Sequence, residues 1–152
     1  MSVPTTQELV TKGKQWDWSR KLHDPEVASG QCYLSVVKIL TYYYDAHDKL
    51  EVAFARHHND PDGRYYEHGQ YSNHYAIWHT EERLVVDYTL RQFAPTSAFP
   101  WVGTYSAWLR ILARAWGVPS VKHLTRSRGQ LCSACGSVNC NLYECPAEME
   151  LY

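Results

Sequence analysis

The chain has 152 residues, 45% of them hydrophobic, and its 15 Lys and Arg nearly balance 16 Asp and Glu for a net charge of −1. That balance excludes the strong basic field of a nucleic-acid or anionic-membrane binder, and the length suits one catalytic-sized core with a small appendage. No run approaches the roughly 20 apolar residues of a membrane span, and Met1 to Lys14 lacks the apolar centre of a secretion signal. The expectation is a chain made in the cytoplasm, and either kept there or delivered into a target cell. Twelve Tyr and six Trp are rich for this length, and such rings suit a core first and a binding surface second.

Trp16 to Asp24 has no clear period, and the Asp24-Pro25 step marks a boundary. From Gly30 to Tyr44 the pattern predicts a helix, with Ser29 as N-cap and Leu34, Val37, Leu40 or Thr41, and Tyr44 as its apolar face. Cys32 falls in the first turn of that helix, where free N–H groups and the positive end of the dipole favour a thiolate. Asn59 to Gly63 is a cluster of turn formers, and the polar stretch on to Asn73 reads as loop. Two β-like runs follow, His74 to His79 and Leu84 to Tyr88, joined by Thr80 to Arg83 as a hairpin. Pro95 and Pro100 bracket a further loop. Tyr105 to Trp116 is amphipathic, with Trp108, Leu109, Ile111, Leu112, Ala115 and Trp116 toward a core and Gly117 as stop signal. Arg126 to Gly129 reads as a linker. The order of helix, hairpin, helix and tail predicts an α+β fold.

An acyl-transferring thiol needs a base within hydrogen-bond reach and a third group to orient that base. The hairpin supplies both. With its turn centred between Glu81 and Glu82, Ala76 lies opposite Asp87 and His74 opposite Thr89. His74 and Asp87 then share one face as diagonal neighbours about 7–8 Å apart at the backbone, and His79 points to the other. A slip of one residue would reverse this assignment. Asp87 also sits amid Leu84, Val85 and Val86, where a buried carboxylate demands a partner.

Gly30-Gln31-Cys32-Tyr33 resembles the nucleophile motif of transglutaminases, and His74-Tyr-Ala-Ile-Trp followed by Leu84-Val-Val-Asp87-Tyr-Thr89 is similar to their His strand and following Asp strand. Cys on a helix, then His, then Asp on adjacent strands is the order of the wider papain-like superfamily. Asp87 to Phe93, with prolines after it, resembles papain-fold domains of bacterial toxins and effectors. The resemblance implies a papain-like core over residues 1–125, with the nucleophile helix packed on a small antiparallel sheet. It implies Cys32, His74 and Asp87 as the triad of a protease or protein glutamine deamidase acting on a protein amide. It makes the Cys32 N–H one oxyanion donor and leaves the second unassigned, with Gln31 and Gln92 as the candidate supporting residues. Tyr88 stands where transglutaminases carry proline, which favours hydrolysis over transglutamination.

Residues 126–152 form a separate tail. Cys132-x2-Cys135-x4-Cys140-x4-Cys145 has the spacing of a zinc knuckle, with Cys140 where His is usual, and four thiolates this close suit a structural Zn²⁺. The segment lacks Lys and Arg between the first and last cysteine, which disfavours nucleic acid. Two disulfides are the competing expectation, weaker without a secretion signal. His57, His58, Asp60, Asp62, His68, His74 and His79 are a second possible metal set, set against ordinary solvated loop histidines. The alternatives to a cysteine enzyme are therefore a binding module on the same scaffold with a structural zinc tail, and a histidine-dependent metallohydrolase.

Overall fold

The computed structural model describes residues 3–46, 48–57 and 73–130. Its first element is a helix the sequence reading did not anticipate. α1 (Thr6–Gln15) starts at Thr5, whose hydroxyl accepts the Glu8 N–H. Threonine followed three residues later by glutamate is a capping-box pattern. Two short helical turns follow, α2 (Asp17–Arg20) and α3 (Pro25–Ala28). Asp24 caps α3 and Pro25 occupies its first turn, where the missing N–H costs nothing.

Gly30 then reverses the chain with φ of 76°, a left-handed conformation that glycine adopts without strain. α4 (Cys32–Tyr42) begins directly after it. The expected cap Ser29 instead terminates α3, and Gln31 takes the cap position of α4 without a side-chain capping bond. The buried face of α4 differs from the expected one. Cys32, Ser35, Val36 and Ile39 are buried, while Leu34 and Tyr44, assigned above to the apolar face, are exposed.

Five strands form one antiparallel sheet in the order β4-β3-β2-β1-β5: β1 (Leu50–His57), β2 (Asn73–His79), β3 (Leu84–Asp87), β4 (Trp101–Gly103) and β5 (Leu124–Gly129). The β2–β3 hairpin pairs Ile77 with Val86 and Trp78 with Val85, the register predicted from a turn centred between Glu81 and Glu82. Arg126 to Gly129, expected as a linker, belongs to β5 and pairs with β1. An outermost strand needs a partner backbone more than an apolar sequence, and Arg128 adds its guanidinium over the rings of Trp78 and Tyr105 at 4.6 and 4.7 Å.

Side-chain alternation gives the sheet two buried faces. Ala53, Ala55, Ala76, Trp78 and Val85 pack under α5 (Tyr105–Ala115) with Trp108, Leu109, Leu112 and the following Trp116. Leu50, Val52, Ile77 and Val86 pack with Leu9 of α1 and Val36, Ile39 and Tyr43 from α4 and its end. α5 matches its predicted span except that Ala113, rather than Ala115, is buried. Among the described residues no helix is long and apolar enough to cross a membrane.

Two contacts tie α1 to the hairpin. The Glu82 carboxylate accepts from the Thr6 N–H at 2.9 Å and the Thr6 hydroxyl at 2.7 Å. The Tyr88 hydroxyl donates to the Leu9 carbonyl.

Candidate active site

The residues 30–32 turn, the open ends of β2 and β3 and the buried side of α5 meet at one point. β2 presents His74 on the face that carries Ala76 and Trp78, and β3 ends with Asp87 on the same face. His74 Nε2 donates to Asp87 Oδ2 at 2.6 Å, with both side chains closed to solvent. A carboxylate is acceptor-only when ionised, so its partner nitrogen carries the proton.

Burial by itself lowers the pKa of His74, since it penalises the charged ring. The charge and hydrogen bond of Asp87 outweigh it, the nearby Cys32 thiol adds to them, and the ring is pushed from 6.5 up to about 10. Nδ1, the nitrogen not held by Asp87, is buried and makes no close hydrogen bond. It is the ring nitrogen left without a partner, and Cys32, 6% exposed, is the first residue of α4. The first N–H groups of any helix lack intrahelical acceptors, and Gln31 supplies none through its side chain.

Asp87 is held from three sides. Oδ1 accepts the Thr89 N–H at 2.8 Å, with the Thr89 hydroxyl at 3.4 Å, and Oδ2 accepts the Trp108 indole N–H at 2.8 Å in addition to His74. The Asp87-to-Thr89 bond is an Asx turn that ends the strand. Phe93 meets the His74 ring edge-on, centroids 4.9 Å apart at 88°.

Gln92 lies in the helical turn after β3 (Leu90–Gln92). Its Oε1 accepts the Gly30 N–H at 3.2 Å, which fastens the carboxamide to the turn that carries Cys32. Its Nε2 is buried and has no partner. Gln31 contributes its carbonyl, which accepts from the N–H and hydroxyl of Ser35 at 2.9 and 2.8 Å.

The structure thus brings Cys32, His74, Asp87 and Gln92 together and gives Gln31 a main-chain role in starting α4. Thr89, Phe93 and Trp108 were missed as site residues. Counting acceptor positions would have found two of them, because a buried carboxylate offers about four lone-pair sites and one histidine fills one. A buried indole N–H likewise needs an acceptor.

Of the second metal set, His58, Asp60, Asp62 and His68 lie outside the described residues. His57, His74 and His79 are buried strand residues rather than solvated loop ones. His79 donates to the Pro4 carbonyl at 2.9 Å and accepts the Glu82 N–H at 3.0 Å. Among the described residues no three His, Cys, Asp or Glu side chains come together as a metal site. The tail cysteines Cys132, Cys135, Cys140 and Cys145 also lie outside the described residues.

No protein-family model, no curated protein and no solved structure matches the chain.

Proposed function

We propose that the chain is a papain-like cysteine enzyme that transfers an acyl group from an amide, with Cys32 as nucleophile, His74 as acid and base, and Asp87 as the group that orients His74. The observation that carries this reading is the buried His74–Asp87 hydrogen bond on one ring nitrogen, which leaves the other, Nδ1, buried and without a hydrogen-bond partner. Packing alone has no need of a sealed imidazole hydrogen-bonded to a buried carboxylate.

In the first half-reaction the Cys32 proton resides on His74 Nδ1, and Sγ forms a bond to the amide carbon. The C=O double bond opens and places its electron pair on oxygen. The Cys32 N–H and Gln92 Nε2 are the donors for that oxyanion, the second because it is buried, unpartnered and fastened to Gly30. Collapse re-forms the carbonyl, breaks the C–N bond and sends the amine off with the His74 proton. In the second half, His74 takes a proton from water as its oxygen attacks the thioester, and the thiolate leaves. The product is a carboxylate, from a peptide bond or from the side chain of a protein glutamine. The cysteine tail belongs to the same proposal as a structural zinc site, whose metal closes a segment too short to fold alone.

The test is labelling of Cys32 by iodoacetamide against pH, read by mass spectrometry on the native full chain. Labelling well below the about 8.5 at which an ordinary thiol titrates, and about 100-fold slower in His74→Ala near neutral pH, is the expected result. A rate that rises only above that range and ignores the substitution makes Cys32 a packing residue and favours a binding module.

A further inference from the structure

Trp108 belongs to the predicted apolar face of its helix, and its side chain is wholly buried. Packing accounts for the ring. It does not account for the acceptor, since any free carbonyl would satisfy an indole N–H, and this one is aimed at Asp87 Oδ2. That oxygen is the one His74 uses, with donors at 2.8 and 2.6 Å. The Trp108 ring also lies along the His74 ring, centroids 5.8 Å apart at 31°. One side chain therefore bears on both members of the pair.

We propose that Trp108 is a positioning residue of the Cys32–His74–Asp87 triad: its indole N–H fixes the Asp87 carboxylate and draws off part of the charge that Asp87 exerts on His74. This rests on the triad reading above. With Thr89 on Oδ1 and Trp108 on Oδ2, the carboxylate cannot rotate away from His74 without breaking a buried hydrogen bond, which is costly where no water can replace it. Each added donor also withdraws electron density from the oxygen it shares, so His74 faces a weaker acceptor than a carboxylate that served it alone. The result is an imidazolium stable enough to hold the thiol's proton, yet acidic enough to release it to a leaving amine.

The groups around His74 make the inference testable. Cys32 from α4 and Asp87 from β3 act on it electrostatically. Ala55 lies opposite it on β1, and Phe93 and Trp108 cover its ring. None of those last three carries a charge, so a change at Trp108 reaches His74 through the shared carboxylate or through packing. A ring of unchanged shape separates the two routes. Losing the donor concentrates the carboxylate charge on His74 and moves its titration up. Losing packing admits water, which relieves the burial penalty on the charged ring and weakens the Asp87 attraction together, whereas changing the donor strength of a ring of the same shape leaves burial as it was.

The experiment follows the His74 ring by NMR against pH in ¹⁵N-histidine-labelled full chain, beside the Cys32 labelling profile. Trp108→Phe keeps an aromatic ring and removes the donor. The expected result is an upward shift of the His74 midpoint by about half a pH unit or more. Replacement of tryptophan by 5-fluorotryptophan, a stronger N–H donor of nearly the same shape, keeps the test alive if Trp108→Phe does not fold, and should move the midpoint down. An unchanged or opposite shift in the folded variant or the fluorinated protein, with an activated thiol in the parent chain, overturns the role of Trp108. A parent chain whose His74 titrates near its ordinary about 6.5 and whose thiol is unreactive fails earlier and removes the triad itself.

Discussion

His74 and Asp87 are joined at 2.6 Å between two strands whose side chains at that point have no access to water. The pair is diagonal across the hairpin, so the register of β2 on β3 decides whether it exists.

Stability should fall as the solution becomes alkaline. The folded-state pKa of His74, about 10, lies above its unfolded value of 6.5. Its contribution is therefore complete below pH 6.5 and is lost as pH rises through about 10. The slope cannot exceed about 1.4 kcal/mol per pH unit for one proton. Urea midpoints measured across that window should decline in the parent chain. In Asp87→Asn the unfolding free energy should be lower at neutral pH, by about 3–5 kcal/mol for a broken buried pair, and the midpoints should be much flatter across the window. A parent profile that is flat from neutral to alkaline pH would contradict the pair.

Gly13 offers a test in which helix propensity and packing disagree. Alanine is favoured over glycine inside a helix by about 1 kcal/mol. A Cβ at this position would lie 2.6 Å from the Pro100 ring and 2.8 Å from the Tyr88 ring. Neither can swing aside freely, since the Tyr88 hydroxyl is bonded to the Leu9 carbonyl and a proline ring is rigid. Overpacking costs about 1–3 kcal/mol, so Gly13→Ala should lower the thermal midpoint, and a rise would show that α1 slides easily on the sheet.

Glu82 should hold α1 in a pH-dependent way. Its hydrogen bond from the Thr6 hydroxyl, helped by the Thr6 N–H, lowers its pKa against a smaller opposing effect of burial. A lowered carboxylate stabilises the fold above its unfolded pKa, and that stabilisation fades as pH falls through the folded value. Glu82→Ala should cost about 1 kcal/mol at neutral pH, and the difference from the parent chain should shrink in acid. Amide exchange confined to α1 is the direct measurement, with faster exchange expected in the variant.

The tail is predicted to carry a single zinc ion. Elemental analysis of protein purified without added metal should find it, and Cys140→Ser should lose it, since three ligands hold zinc far less well than four. Chelation should leave Cys32 labelling intact while making the tail susceptible to proteases. If instead all four thiols resist alkylation under denaturing conditions until a reductant is added, the tail holds two disulfides.

Much of the site was legible because strands impose a period of two. The Thr80–Arg83 turn sets the register, the register sets the face, and Asp87 stands out as the one acid in an aliphatic run. What was not legible depended on distant partners. β1 mixes Glu51 and Arg56 into a strand buried on both sides by its neighbours, which hides the alternation. β5 is polar because its backbone, not its side chains, is held. The α4 face was misassigned because apolar residues lie all round the helix, and it is Val36 and Ile39, rather than Leu34 and Tyr44, that pack on Leu50, Val52 and Ile77 of the sheet. Trp108 read as core because its hydrogen bond spans 21 positions to Asp87, and no local pattern carries that information. Tyr88, an anomaly by resemblance, is explained by the Leu9 carbonyl it anchors.

The strand pairing of Leu124–Gly129 with Val52–His57 has a practical corollary for anyone who shortens the chain. Cutting after Gln130 removes the cysteine segment and leaves a finished border. Cutting after Thr125 strips that border away and exposes the outer hydrogen-bonding row of β1 to the next molecule that offers a strand. The shorter product should aggregate through that row, and five residues separate a fragment that keeps the β1–β5 pairing from one that loses it.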